Sequence, residues 1–160
     1  MPASPSDPEA EEDWSWHDDL IYALHLRPPD PDRDLWRSEL VLDIDHIVEW
    51  LKPAPGVIKW RIAPATLVFG WVSNLRVAVD FVGDPMGAAI MEWSIHYIAR
   101  SPLPRRDGYR GDPEFQWRIV LNVPSGGEIA FVASGYTLTL RAEPSVDADR
   151  ASRPPLVLPH

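Results

Sequence analysis

Apolar and polar residues alternate along most of the chain between residues 20 and 140. A period of two residues is typical of strands with one buried and one solvent-facing side. Eight runs show this period, and they cover residues 20–26, 40–44, 65–69, 75–81, 89–99, 115–121, 129–133 and 136–140. The sides predicted to be buried in the first two runs hold Leu20, Tyr22, Leu24, Leu26, Leu40, Leu42 and Ile44.

Prolines separate these runs, because a residue without an N–H cannot sit in a central strand. Pro64 alone lies inside a run, which predicts an edge position or a bulge there. Ser-Gly pairs at residues 125–126 and 134–135 are typical of hairpin turns. The sequence therefore predicts a mostly β fold: a single antiparallel meander of about eight strands that closes as a sandwich or barrel.

The two ends of the chain differ from this pattern. Residues 1–12 contain no Leu, Ile, Val, Phe or other aromatic residue, so ordering them would bury little apolar area. Residues 145–160 are also unlike the alternating runs, because they are rich in Pro and Asp. We expect a disordered acidic tail at 1–12, a β domain at 13–144 and a flexible C-terminal tail at 145–160.

Acidic residues are concentrated at the N-terminus. The net charge is −9, and residues 1–19 carry −7 with no Lys or Arg. An acidic chain is repelled by phosphates, so we expect neither nucleic acid nor a membrane as a partner. The chain has no Cys, which excludes disulfides and thiolate-bound metals. The N-terminal stretch lacks the features of a signal peptide, and no apolar run approaches the roughly 20 residues of a membrane helix. We expect a cytoplasmic location and no cofactor.

His and Asp residues occur in two short clusters. The first is Trp16-His17-Asp18-Asp19 together with His25, and the second is Asp43-Ile44-Asp45-His46; the candidate site residues in them are His17, Asp18, His25, Asp43 and Asp45. Alternation places Asp43 and Asp45 away from the core, where pairing of the first two strands would bring them to the His17–Asp19 segment or to His25. Such a site would suit Zn²⁺, Mn²⁺ or acid–base chemistry. The alternative is a solvent-facing side of a sheet, and it is preferred because the spacing matches no known metal signature.

A third polar set lies on one face of a single strand. Glu92, Ser94 and His96 are spaced two residues apart. No Gly-x-Ser-x-Gly elbow exposes Ser94, so a nucleophilic role is disfavoured.

Tryptophan is unusually frequent, with eight residues. Trp14, Trp16 and Trp36 lie near acidic or proline-rich segments, and Trp is enriched at binding hot spots. These three are candidates for contact with a partner protein. The alternative is that they cover the ends of the β domain.

Three short elements carry a resemblance to known proteins: Trp16-His17-Asp18, Asp43-Ile44-Asp45 and Ala63-Pro64-Ala65-Thr66-Leu67-Val68-Phe69. They resemble elements of a group of small uncharacterised bacterial proteins with no assigned activity. The chain is also similar in type to immunity proteins of bacterial toxin systems, which are small, acidic and poor in Cys. The expected function is a non-enzymatic protein-binding domain that neutralises a toxin. The alternative is a metal-dependent or acid–base enzyme that uses the His/Asp clusters.

Overall fold

The protein is a folded antiparallel β-sheet. The computed structural model describes residues 10–80 and 92–146, and in this part strands dominate and the only helical elements are two 3₁₀ turns, which confirms the mostly β prediction. None of the helical turns in these two ranges is long and apolar enough to cross a membrane. The strands are β1 (Glu11–Asp13), β2 (Leu20–Arg27), β3 (Glu39–Ala54), β4 (Val57–Gly70), β5 (Ser73–Ala78), β6 (Trp93–Pro102), β7 (Phe115–Val123), β8 (Glu128–Ala133), β9 (Gly135–Leu140) and β10 (Ser145–Val146). The 3₁₀ turns are Trp14–Trp16 and Pro31–Arg33.

Consecutive strands pair as a meander in two runs, β2–β3–β4 and β6–β7–β8. Long-range pairs join them: β2 with β6, β5 with β8, and both β9 and β10 with β4. The described sheet does not close into a barrel.

One core lies between the two halves of the sheet. The Phe69 ring of β4 is 4.7 Å from the Phe131 ring of β8 and 5.2 Å from the Trp117 ring of β7, centroid to centroid. Burial of each large apolar side chain contributes roughly 1.5–3 kcal/mol. Leu40, Leu42 and Ile44 are fully buried in this core, as the alternation predicts.

The alternation prediction fails locally at the start of the first strand. Leu20 and its neighbour Ile21 are both buried, whereas Tyr22 is exposed. The cause is a bulge, because the register of β2 on β3 shifts between Ile21 and Ala23. Beyond the bulge Leu24 lies opposite Leu42 and packs against the core as predicted, whereas Leu26 at the end of the strand is exposed.

Pro64 lies where the pairing of β4 changes partner. Its carbonyl accepts the Arg141 N–H (2.8 Å), between the residues of β4 that pair with β9 and those that pair with β10. The N–H and C=O of one residue point to the same side of a strand. The missing N–H of Pro64 therefore falls at this break, where a ladder hydrogen bond is not required.

The boundaries of the two tails shift by a few residues. Glu11 and Glu12, which we expected to be disordered, pair with β6 through β1, and Ser145 and Val146 pair with β4 through β10. Residues 1–9 and 147–160 lie outside the described residues, so the tail predictions remain predictions there.

The β3–β4 hairpin extends beyond the sheet. Pairing of β2 with β3 ends at Asp45, and β10 reaches only Ile62 and Arg61 of β4. Residues 48–60, which we call the arm, therefore have no other described strand beside them. The arm's exposed large apolar side chains are Val48, Trp50, Val57 and Ile58.

Candidate functional site

The N-terminal 3₁₀ turn closes one end of the core. The carboxylate of Asp13 accepts hydrogen bonds from the Ser15 N–H (2.9 Å) and from Nε1 of Trp16 (3.0 Å). Trp16 is only 3% exposed, and its ring contacts those of His46 and Tyr136 at 5.1 and 5.6 Å. Trp16 is therefore a core residue, and the expectation that it contacts a partner protein is withdrawn.

Asp19 fastens this turn to β3. Its side chain is fully buried; Oδ2 lies 2.6 Å from Nδ1 of His46, and Oδ1 accepts the Ile47 N–H at 2.8 Å. Burial raises the pKa of Asp19 to about 6 against the opposing effect of His46, and the nearby charge of Asp45 adds to the rise. Asp19 and His46 lie inside the two sequence clusters but were not among the candidates. Strand alternation gives no information about a turn residue such as Asp19, so the sequence pattern does not predict this contact.

Asp43 and Asp45 are buried, so the expectation that they lie on a solvent-facing side is wrong. Oδ1 of Asp43 lies 2.6 Å from Nη2 of Arg141, and Oδ2 of Asp45 accepts the Tyr22 hydroxyl at 2.8 Å. The side chains of Arg141 and Tyr22 cover these two carboxylates and supply the hydrogen-bond partners that a buried carboxylate needs.

The candidate ligands for a metal do not converge. Asp18 pairs with His17, whereas His25 lies opposite Val41 on β2, and Asp43 and Asp45 have the separate described partners above. Within residues 10–80 and 92–146, no group of three His, Asp or Glu side chains is arranged to hold a metal ion.

His17 and Asp18 are held in one fixed arrangement. Nδ1 of His17 lies 3.0 Å from the carbonyl oxygen of His96, so Nδ1 carries a proton, and Nε2 lies 3.6 Å from Oδ1 of Asp18. The Asn122 amide donates to the same oxygen at 2.9 Å. Asp18 has a left-handed backbone (φ 67°), and its N–H donates to the Ile95 carbonyl at 2.8 Å. A non-glycine residue rarely adopts this conformation without surrounding support.

A cavity of about 480 Å³ opens beside Asp18. Its apolar walls come from β2, the base of the arm and β7, and its polar groups come from the N-terminal turn and the start of β6. The lining residues are Asp18, Leu20, Ile47, Trp60, Glu92, Ser94 and Val123. Ser94 is 6% exposed, and its hydroxyl has no hydrogen bond to any described residue. The period-two spacing of Glu92 and Ser94 in the sequence predicts that both lie on one side of the strand, and both line this cavity.

Trp14 and Trp36 are exposed, as expected, but in different settings. Trp14 is 49% exposed, and its ring packs against those of His96 and Tyr97 at 4.7 and 4.8 Å. Trp36 is 61% exposed. It lies just before Glu39, the first residue of β3, whereas the arm lies at the other end of that strand. The indole N–H of each donates to the carboxylate two residues earlier, that of Glu12 or Asp34.

The Trp14 surface and the arm are connected through the cavity. Trp14 lies 6.1 Å from the His17 ring, and His17 contacts Asp18 at the cavity. Trp60 forms another wall and packs edge-on against Trp50 of the arm at 5.7 Å. We call this set of residues, linked by successive contacts from Trp14 through the cavity to Trp50, the aromatic face.

Three comparisons with known proteins, against family models, curated proteins and solved structures, found no match for this chain. The resemblance to small bacterial proteins therefore stays a prediction.

Proposed function

We propose that this chain is a non-enzymatic domain that binds another protein through the aromatic face. The observation that carries the proposal is Trp14: a half-exposed indole fixed in place by a hydrogen bond from its Nε1 to Glu12 (3.2 Å) and by the rings of His96 and Tyr97. A rigid, exposed indole has little conformational entropy to lose on binding, which is a property of hot-spot residues.

The arm supports the same proposal. A two-stranded hairpin is marginally stable on its own in water, and this one presents Val48, Trp50, Val57 and Ile58 to solvent. Large exposed apolar surfaces of this kind mark interaction sites. A partner that covers the arm and Trp14 together would bury both ends of the aromatic face.

The charge near Trp14 favours a basic partner. Glu11, Glu12 and Asp13 form β1 beside Trp14; Arg100 pairs with Glu11, and the charge of Arg118 interacts with that of Glu12, so the three acids outnumber these two cations. Complementary charge accelerates association and selects partners. The most specific version of the proposal is the toxin-neutralising role expected from the sequence, with a basic bacterial toxin as the partner.

The enzyme alternative has no comparable support. His17 and Asp18 lie beside each other, but Asp43 and Asp45 contact Arg141 and Tyr22 instead. Both carboxylate oxygens of Asp19 are engaged in contacts that hold the turn. No observation in the described residues favours a metal-dependent or acid–base reaction.

The test is calorimetric titration of the purified product of each flanking gene into this protein. Wild type should bind one of them, and Trp14→Ala should weaken that binding at least about tenfold, which corresponds to about 1.4 kcal/mol. Trp36→Ala is the matched control, because Trp36 is also exposed and also donates to a carboxylate two residues earlier. Loss of binding in Trp36→Ala but not in Trp14→Ala, or binding of neither flanking product, would contradict the proposal.

A further inference from the structure

We propose that the cavity beside Asp18 binds an organic cation, an alkylammonium or guanidinium group on an apolar stem. The cation is either a free amine or a Lys or Arg side chain of the bound protein. Only the second source rests on the proposed function. The binding itself is a property of the isolated chain.

The chemistry of the walls selects this class of ligand. Leu20, Ile47 and Val123 provide an apolar surface for a stem, and the Trp60 indole attracts cations through its ring quadrupole. The ionisable lining residues, Asp18 and Glu92, are both acids, so an anion would be repelled. The volume of about 480 Å³ lies within the range of roughly 300–1,000 Å³ that is typical of small-ligand sites.

Asp18 is prepared to receive a donor. Its Oδ1 accepts the Asn122 amide N–H, whereas Oδ2 has no described partner. The Asn122 hydrogen bond holds Oδ1 in place, and the Asp18 side chain is 42% exposed, so Oδ2 is accessible to a ligand.

Ser94 is an independent indication of a ligand. It lines the cavity, is more than nine-tenths buried, and its hydroxyl makes no hydrogen bond to the described residues. Its Oγ is not among the described polar atoms that are both buried and unpaired, so it remains open to the cavity, where a ligand could reach it. An ammonium or guanidinium N–H donated to Ser94 Oγ, with a second donated to Asp18 Oδ2, would satisfy both groups at once.

The test is a titration of ¹⁵N-labelled protein with n-butylammonium chloride, followed at the Trp60 indole N–H by NMR. We expect a saturable shift of that signal and none with sodium pentanoate, which has the same butyl stem and the opposite charge. Asp18→Asn should weaken binding at least about tenfold. Asp32→Asn is the control, because Asp32 lies on the second 3₁₀ turn, away from the cavity.

Two further variants keep the result interpretable if Asp18→Asn disturbs the turn. Ser94→Ala removes an unpartnered hydroxyl, so it should fold normally and bind butylammonium a few-fold more weakly. Trp60→Leu keeps an apolar wall and should also weaken binding. No saturable shift in the wild type would overturn the proposal. It would also be overturned if all three cavity variants bound butylammonium with the affinity of the wild type.

The source of the cation is distinguished by competition. If the cavity holds a side chain of the bound protein, saturating butylammonium should weaken the binding of the flanking gene product; if it holds a free amine, that binding should be unchanged. Failure of the amine titration refutes the cavity proposal, whereas failure of the Trp14 experiment refutes the proposed function, so the two are separable.

Discussion

The burial of Asp19 makes the free energy of unfolding depend on pH in a direction opposite to that of most carboxylates. Burial raises the pKa of Asp19 from 3.8 to about 6. Between these values the folded state holds a proton that the unfolded state has released. The free energy of unfolding should therefore fall as pH rises from about 4 to about 6. The cost of ionising the buried Asp19 is fully present above about pH 6.

The size of this effect follows from the shift and the complete burial of Asp19. A difference between 3.8 and about 6 corresponds to roughly 3 kcal/mol, at about 1.36 kcal/mol per pKa unit. Asp19→Asn cannot ionise, and its amide can still accept the Ile47 N–H and face Nδ1 of His46. The stability of this variant relative to wild type should thus increase by about 3 kcal/mol between pH 4 and pH 7.

The assay is urea unfolding followed by tryptophan fluorescence, for both proteins at several pH values. Asp13→Asn is a control of opposite sign, because the hydrogen bonds from Ser15 and Trp16 outweigh burial and lower the pKa of Asp13. The stability of that variant relative to wild type should decrease as pH rises from acid. A pH-independent difference between Asp19→Asn and wild type would refute the reasoning, and so would a decrease with rising pH.

Two further predictions concern the core and its polar layer. Trp16→Ala should lower the free energy of unfolding by about 3–5 kcal/mol, measured by urea unfolding, because it empties a buried site; a loss below about 1 kcal/mol would contradict the core assignment. Arg141→Ala should cost about 3–5 kcal/mol, because it leaves Asp43 buried without its described cation. The control Arg118→Ala breaks the exposed pair with Glu128 and should cost about 1 kcal/mol or less, so equal losses would argue against the buried pair.

The sequence predicted the strands well because period-two patterning is a local property. Leu40, Leu42 and Ile44 lie in the core as expected, since β3 is regular through them. Tyr22 does not, because a bulge at this point interrupts the alternation, which places Leu24 on the core side again. A bulge leaves no clear mark in a single sequence.

The candidate site was predicted only in part, for a similar reason. The sequence identified the right segments, the one around His17 and the one around Asp45, but the contact that joins them is Asp19 with His46. Whether a carboxylate faces water or a second buried layer depends on what covers the sheet. For Asp43 that cover is Arg141, which is distant in sequence.

The aromatic face can be tested most directly by amide hydrogen exchange of this protein, alone and with the flanking gene product that it binds. The account predicts slower exchange on binding in β1, in the Trp14–Trp16 turn and in the arm at residues 48–60, with the segment around Trp36 unchanged. Protection confined to the Trp36 end of β3, or no change in β1 and the arm, would contradict it.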